Sequence, residues 1–385
     1  MAAEASLYGD VVPVGGAPFR AQLQSITASG MATWKPEHGE PRKLTLADLC
    51  CWGSFAEPPT QSQVVLVDGS LIMADVVSVN KQQLTFDWGL VGELKLPLEW
   101  VSGVLLSPPV DRQAADRLRF RLLPTDSHAE TDRLILLNGD ELAGELVAMS
   151  DAAVKIRTPA GETTVAKEKI AAIAFDPSLA AKPDPKQPRI WIGFDDGSRL
   201  VAAAIVVQGD QAKVTFAAQP PVTVSAAKLV ALQPLDGRET YLSDLKPADY
   251  QHIPFLDLKW SYRNDRNVLG TQLRAGGRLY LKGLGLHSAA RLTYDLDKPY
   301  RTFATDAAID DQTNGQGSAI FRVYTDDGSG KWQLKYESPT VRGGAAPLPI
   351  SVDFSGAKRL SLHVDFADHG DIQAHADWLN ARLLP

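Results

Sequence analysis

Short runs of alternating apolar and polar residues, broken by Asp-Gly or Asn-Gly pairs, recur along residues 1–236. Residues 64–71, 134–142 and 190–200 each hold such a pair between two apolar runs, which is the strongest local signal for a β-hairpin. Further alternating stretches follow each hairpin, and a short apolar run closes each segment. The period of two rather than 3.6 predicts strands rather than helices.

The turns and the closing runs are regularly spaced. Three turn glycines precede the first apolar residue of their closing run by 32, 31 and 32 residues: Gly69 and Val101, Gly139 and Ile170, Gly197 and Leu229. A fainter copy runs from Gly16 to Leu49. Roughly four or five short strands in about 45 residues are typical of an SH3-like or Sm-like barrel. The alternative is one long irregular β-domain in which the spacing is coincidental.

The predicted fold class is therefore all-β, with tandem small barrel-like repeats followed by a C-terminal jelly-roll sandwich. Proline-rich joints separate the parts. The predicted divisions are residues 1–57 (first repeat), 60–107 (second repeat), 108–132 (a linker with a short helix at 114–120), 133–176 (third repeat), 177–188 (a Pro-rich linker), 189–236 (fourth repeat) and 250–385 (the sandwich).

The last third of the chain also alternates in short runs. We expect about eight antiparallel strands there, the first at residues 256–260 and later ones at 319–324 and 360–366. Trp260 and Trp378 are predicted to anchor the core of this sandwich.

The charge balance narrows the classes of partner. A net charge of −7 argues against nucleic acid, which needs clustered Lys and Arg. No apolar run approaches the roughly 20 residues that span a bilayer, so no membrane insertion is expected. Cys50 and Cys51, the two cysteines, are adjacent, which excludes a disulfide framework and a cysteine zinc site.

Five short motifs in the last third of the chain occur in an order that is shared with a known family. They are residues 282–287 (Lys-Gly-Leu-Gly-Leu-His), 294–296, 309–311, 321–324 and 375–378 (His-Ala-Asp-Trp). With these motifs the chain resembles the NPCBM family of carbohydrate-binding modules. The resemblance implies a β-sandwich, as in the modules appended to glycoside hydrolases and bacterial surface proteins, and a glycan or polysaccharide as the partner.

The resemblance also singles out candidate binding residues. His287, in the glycine-rich stretch, is the first candidate for contacting a sugar hydroxyl, followed by Asp310, Asp311 and Arg342. Charged and amide groups discriminate sugar hydroxyls well, and loops at one end of a sandwich usually carry them. The alternative for His287 is a histidine that ties two loops together by hydrogen bonds.

A structural Ca²⁺ is a further expectation, although no cofactor is required. Calcium is bound by oxygen ligands, and the acidic stretch near the C-terminus offers Asp365, Asp371 and Asp377. Ala374 stands where the family commonly has an acidic residue, so one ligand is missing from the pattern.

No sequence motif of a nucleophilic, metallo- or phosphate-transferring enzyme is present. We therefore predict a non-catalytic carbohydrate-binding protein. The alternatives are an extracellular assembly or adhesion scaffold, with protein partners bound through the sandwich or the β-repeats, and an accessory subunit of a polysaccharide-degrading system. No signal peptide is visible, which fits either a cytoplasmic protein or an exported one whose leader was removed. The resemblance favours a secreted, periplasmic or cell-surface location.

Overall fold

The structure is a computed structural model that describes residues 8–124, 130–184, 186–217, 219–255, 257–368 and 370–385. Contacts divide the chain into two compact units, Met1–Asp236 and Gly237–Pro385. Both consist almost entirely of β-strands, which confirms the all-β prediction. Within the described ranges, no helix is long and apolar enough to cross a membrane.

The first unit contains four segments of similar length. Segment 1 holds β1 (Tyr8–Pro13), β2 (Phe19–Ile26), β3 (Met31–Pro36), β4 (Arg42–Thr45) and β5 (Leu49–Gly53). Segment 2 holds β6 (Gln63–Leu66), β7 (Leu71–Met73), β8 (Asp75–Val79), β9 (Gln83–Trp88), β10 (Gly92–Pro97) and β11 (Val101–Leu105). Segment 3, after helix α1 (Arg112–Leu122), holds β12 (Asp132–Leu136), β13 (Glu141–Met149), β14 (Ala153–Thr158), β15 (Gly161–Ala166) and β16 (Ile170–Ala174). Segment 4 holds β17 (Ile190–Phe194), β18 (Arg199–Gln208), β19 (Gln211–Phe216), β20 (Val222–Ser225) and β21 (Leu229–Pro234).

The four segments share one strand order. In each, the first strand pairs with the second and with the last, and the middle strands follow as antiparallel neighbours. In segment 2 the second strand is split into β7 and β8. A short 3₁₀ helix precedes the last strand of every segment: Leu46–Asp48, Leu98–Trp100, Lys167–Lys169 and Ala226–Lys228.

The predicted hairpin turns show the same geometry in three segments. Gly69, Gly139 and Gly197 have φ values of 88°, 91° and 89°, a region that glycine enters without steric cost. Each donates its backbone N–H to the carbonyl three residues earlier, at 3.0–3.1 Å. Bulges bend the second strand of each segment against its neighbour. Closed barrels stay a prediction, because in the described part of the chain the fourth strand of each segment pairs with the third alone.

The segments pair with one another through their last strands. β5 pairs with β21, and β11 pairs with β16, so segment 1 joins segment 4 and segment 2 joins segment 3. One cluster of buried apolar side chains draws on all four segments. Cys50 is buried in β5, and Cys51 beside it is half-buried. The four segments of the first unit therefore share one main core instead of having one core each.

Helix α1 covers the joint between segments 2 and 3. Asp111 caps its first turn by accepting the N–H of Ala114 at 2.8 Å. Leu118 and Leu122 are buried in a smaller core with residues of β11 and β16. The helix occupies the predicted linker and is longer than the predicted stretch at 114–120.

The second unit contains the remaining strands. They are β22 (Thr240–Tyr241), β23 (Asp249–His252), β24 (Arg263–Asn264), β25 (Leu273–Ala275), β26 (Arg278–Tyr280), β27 (Gly283–His287), β28 (Ala290–Asp295), β29 (Thr302–Ile309), β30 (Ser318–Asp326), β31 (Gln333–Glu337), β32 (Val341–Arg342), β33 (Leu348–Asp353), β34 (Arg359–Phe366) and β35 (His375–Leu384).

These strands form a β-sandwich. One sheet has the order β24-β27-β35-β29-β33, the other β23-β28-β34-β30-β31, and β25 and β26 form a separate hairpin. Trp378 lies fully buried between the sheets, and the ring of Phe321 packs against it edge-on at 4.9 Å. Trp378 is thus confirmed as a core anchor.

The sandwich begins earlier than residue 250, the predicted boundary. β22 pairs with β35, and the side chains of Tyr241 and Leu242 are 2% and 0% exposed. The ammonium group of the buried Lys282 contacts the carboxylate of Asp244 at 2.6 Å. Residues 237–249 are therefore part of the domain rather than a connector.

Candidate functional site

Three strand ends meet at one end of the sandwich. His287, the last residue of β27, is the register partner of His375, the first residue of β35, and their rings lie 5.5 Å apart. Asp310, directly after β29, donates its N–H to the carbonyl of His375 at 2.9 Å. The two histidines, which are 88 residues apart in the sequence, thus become neighbours through strand pairing alone.

Two further rings complete an aromatic cluster. The ring of Trp260 stacks on His287 with centroids 4.8 Å apart and an interplanar angle of 3°. His252, at the end of β23, meets His287 edge-on at 5.9 Å. We call Trp260, His252, His287 and His375 the histidine–tryptophan cluster.

The position of Trp260 corrects two predictions. Residues 257–262 lie outside the strands, so a strand at 256–260 is wrong over its described part, and Leu256 lies outside the described residues. Trp260 is half-buried on the surface of His287 and is not among the fully buried core side chains.

The hydrogen bonds define which histidine nitrogens donate. Nδ1 of His287 lies 2.8 Å from the carbonyl oxygen of Ser288, so Nδ1 carries the proton and Nε2 is an acceptor. Nδ1 of His375 lies 3.5 Å from Nε2 of Gln312, the outer limit of a hydrogen bond. If Nδ1 accepts there, Nε2–H is a donor, and the pair presents one acceptor and one donor.

Both rings are neutral at physiological pH. Burial lowers the pKa of His287, the carbonyl of Ser288 partly opposes this, and the charge of His252 lowers it further. Burial, with the charge of His287, lowers the pKa of His375 to about 4. Their exposed fractions are 4% and 8%.

Asp310 lies beneath the cluster rather than at the surface. Its carboxylate accepts the N–H groups of Gln312 (2.9 Å) and Arg274 (3.2 Å), and its exposed fraction is 1%. Asp377, which is fully buried, faces Asp310, and burial together with the charge of Asp310 raises the pKa of Asp377 well above its usual range. Burial also raises the pKa of Asp310, so the pair favours a state in which one carboxyl is protonated.

Asp311 and Arg342, the other candidate sugar contacts, hold loops. The carboxylate of Asp311 accepts the N–H groups of Gly276 (3.0 Å) and Gly277 (2.8 Å), which form the turn between β25 and β26. Arg342 is 60% exposed and pairs with Asp368 at 2.8 Å, which ties β32 to the loop before β35. Neither side chain contacts the histidine–tryptophan cluster in the described hydrogen bonds.

The three carboxylates expected to bind calcium do not converge. Asp365 pairs with Arg322, Asp377 lies with Asp310 in the interior, and Asp371 lies near His287. Among the described residues, no group of three or more His, Cys, Asp or Glu side chains is arranged to hold a metal ion. The calcium site stays an untested prediction.

Exposed apolar side chains lie close in the sequence to members of the cluster. Phe255 is 65% exposed, and its ring packs edge-on against Phe366 at 6.0 Å. Ile253, Leu258 and Ile372 are 60%, 66% and 65% exposed. These residues lie in the segments that hold Trp260 and lead into His375, and the sequence analysis did not single them out.

Comparisons with known proteins bear on this unit. The model of the family described as NPCBM/NEW2 domain matches residues 238–384. The chain is 36% identical over 115 residues to a Renibacterium salmoninarum protein named "Putative endo-alpha-N-acetylgalactosaminidase", a match that covers 30% of this chain and 7% of that protein. It is 30% identical over 122 residues to alpha-1,3-galactosidase B of Akkermansia muciniphila, covering 31% and 15%. The chain thus spans a small part of the length of either relative.

Solved structures also match. The CBM51 domain of a Clostridium perfringens GH95 protein, in complex with methyl-galactose, is 22% identical with a TM-score of 0.33, covering 38% of this chain and 99% of that one. The CBM51-2 and INT domains of ZmpB from the same organism are 28% identical with a TM-score of 0.33, covering 46% and 36%. The family match agrees with the resemblance seen in the sequence motifs. Residues 238–384 of this chain form an NPCBM/NEW2 domain.

Proposed function

We propose that the NPCBM/NEW2 domain binds a neutral glycan, without catalysis, at the histidine–tryptophan cluster. The observation that carries the proposal is the complementary pair of ring nitrogens. A sugar hydroxyl both donates and accepts, so it can donate to Nε2 of His287 while it accepts from Nε2–H of His375. Sugar recognition in water depends on such convergent polar groups beside an aromatic surface.

The surroundings of the cluster supply that surface. Trp260 is half-buried and in contact with both histidines, and Phe255 offers a more exposed ring nearby in the sequence. The charge of Arg342 is already paired with that of Asp368, and the rings of His287 and His375 are neutral. A neutral sugar therefore fits these surroundings better than an anionic one.

The proposal extends to location and ligand class. An exported or cell-surface location suits a glycan-binding domain. Because two relatives are named for enzymes that act on galactose or N-acetylgalactosamine linkages, α-linked galactosides and N-acetylgalactosaminides are the first probes.

A glycan array with the full chain, repeated with EDTA, tests the proposal. His287→Ala is expected to weaken binding of the best array ligand at least tenfold, since it removes the acceptor, and Trp260→Ala by a similar factor. Leu269→Ala, at an exposed position of the same domain outside the cluster, is the control and is expected to bind as the wild type. Wild-type affinity in both cluster variants would place the site elsewhere.

The exposed apolar residues favour a second candidate function. Ile253, Phe255, Leu258 and Ile372 would also suit a protein partner, as in an assembly or adhesion scaffold. A folded chain that is silent on a broad array would support this candidate.

A further inference from the structure

The first unit contains a cavity of about 460 Å³ where segments 2 and 3 meet. Its volume lies within the range of small-ligand and side-chain pockets, roughly 300–1,000 Å³. Apolar side chains form its walls: Pro97, Leu98, Phe175, Leu179 and Ala180. The cavity lies in the repeated β-segments, outside the domain that is proposed to bind a glycan.

The charges at the cavity are mainly negative. Three acidic residues, Glu99, Asp132 and Asp176, are among the residues that line it, against one basic residue, Lys81. Lys81 is already paired with Glu145, which lies outside the lining. An apolar pocket with this excess of carboxylates favours a cationic group over a neutral or anionic one.

The pKa of Asp132 reflects the charges around the cavity. Its carboxylate accepts the N–H groups of Leu146 (2.7 Å) and Asp176 (2.9 Å), which hold it in place. Burial nevertheless raises its pKa, and the charges of Asp176 and Glu145 raise it further. A cation in the cavity would relieve this repulsion, since it favours the ionised carboxyl.

We propose that this cavity binds a segment of a partner protein in which a lysine or arginine side chain lies next to an apolar one. The basic group would lie among the carboxylates and the apolar side chain against Leu98 and Phe175. Leu179, which is 72% exposed at the rim, extends the apolar surface beyond the cavity. That extension suits a chain segment better than an isolated small cation.

The test is a titration of the full chain, isotope-labelled, with three matched peptides followed by amide NMR shifts. The probes are acetyl-Leu-Lys-Leu-amide, acetyl-Leu-Gln-Leu-amide and acetyl-Leu-Glu-Leu-amide. We expect saturable shifts at the amides of residues 98, 99, 175, 176 and 178–180, with the Lys peptide binding about tenfold more tightly than the Glu peptide and in a salt-dependent way. A Glu peptide that binds as tightly as the Lys peptide, or the lack of saturable shifts with any of them, would overturn the proposal.

Three variants distinguish binding at the cavity from nonspecific binding. Leu179→Ser is expected to weaken the Lys peptide about fivefold or more. Leu137→Ser, at a leucine that is 59% exposed and outside the lining, is the matched control and should leave binding unchanged. Glu99→Gln should reduce the preference for the Lys peptide over the Gln peptide two- to threefold. Equal losses in both leucine variants would also overturn the proposal.

Discussion

At the scale of single residues, a local hydrogen bond sets the orientation of the His287 ring. Its Nδ1–H holds the ring on the carbonyl of Ser288, the next residue in the chain, so this bond does not tie two loops together, and both alternatives for His287 stay predictions. The same bond leaves Nε2 as the acceptor, which is the nitrogen that the proposed function uses. A structural hydrogen bond on one ring nitrogen therefore prepares the other for binding.

The buried histidines should make folding stability depend on pH. The pKa of His375 is lowered from 6.5 to about 4 in the folded state. Between pH 6.5 and pH 4, His375 is therefore protonated in the unfolded chain and neutral in the folded chain. Stability from this group is thus lost as the pH falls from about 6.5 towards 4. Relative to His375→Gln, the wild type should lose roughly 2–3 kcal/mol of unfolding free energy across this window in denaturant titrations. If the unfolding free energies of the two proteins changed with pH in the same way, the lowered pKa of His375 would be contradicted.

The protonation of the pair Asp310 and Asp377 predicts the opposite pH trend. The pKa of Asp377 is raised in the folded state, so its stabilising contribution is complete below about pH 4 and is lost as the pH rises. Asp377→Asn keeps the shape and supplies a permanent donor to Asp310. We expect the variant to be more stable than the wild type at pH 7, with a difference that shrinks as the pH falls towards 4. Unfolding at both pH values measures this, and a destabilised variant at pH 7 would show that Asp377 is needed as a carboxylate.

At the scale of elements, the joints between segments depend on close backbone approach. A Cβ at Gly103, in β11, would lie 2.5 Å from the carbonyl oxygen of Ile173 in β16. A Cβ at Gly53, in β5, would lie 1.9 Å from the carbonyl oxygen of Val230 in β21. Glycine at both joints allows the last strands to pair across segments.

Gly103→Ala should therefore destabilise the first unit. Overpacking of this kind costs about 1–3 kcal/mol, and here the colliding group is backbone that cannot rotate away. Gly89→Ala is the control, because nothing lies within 4 Å of a Cβ at Gly89, and we expect a change below about 0.5 kcal/mol. Thermal or denaturant unfolding compares them. Equal stability of the two variants would mean that the joint adjusts freely.

Elements differed in how far the sequence could predict them. The Asp-Gly and Asn-Gly turns were readable because glycine at positive φ is a local requirement, met within a few residues. The partnership of segment 1 with segment 4 was not readable, since it depends on contacts between residues that are far apart in the chain. Residues 257–260 alternate like a strand, yet find no neighbouring strand to pair with.

At the scale of the whole molecule, the domain boundary has a measurable consequence. A fragment of residues 237–385 retains Tyr241 and Leu242, whereas one of residues 250–385 lacks both buried side chains. Their burial contributes about 3–6 kcal/mol in total. We expect the longer fragment to unfold cooperatively and the shorter one to be less stable by an amount of that order. Circular dichroism during denaturant titration compares them, and equal midpoints would restore the boundary to residue 250.

The sequence by itself determined the all-β class, the repeated turns and the membership of the C-terminal domain in its family, because each depends on local conformation or on short motifs. It also placed His287 and His375 in two of those motifs. Only the tertiary structure decided that their rings meet, that Trp260 stacks on His287 and that Asp310 lies buried against Asp377. The physical reason is that strand register and loop packing bring together residues that no local pattern relates.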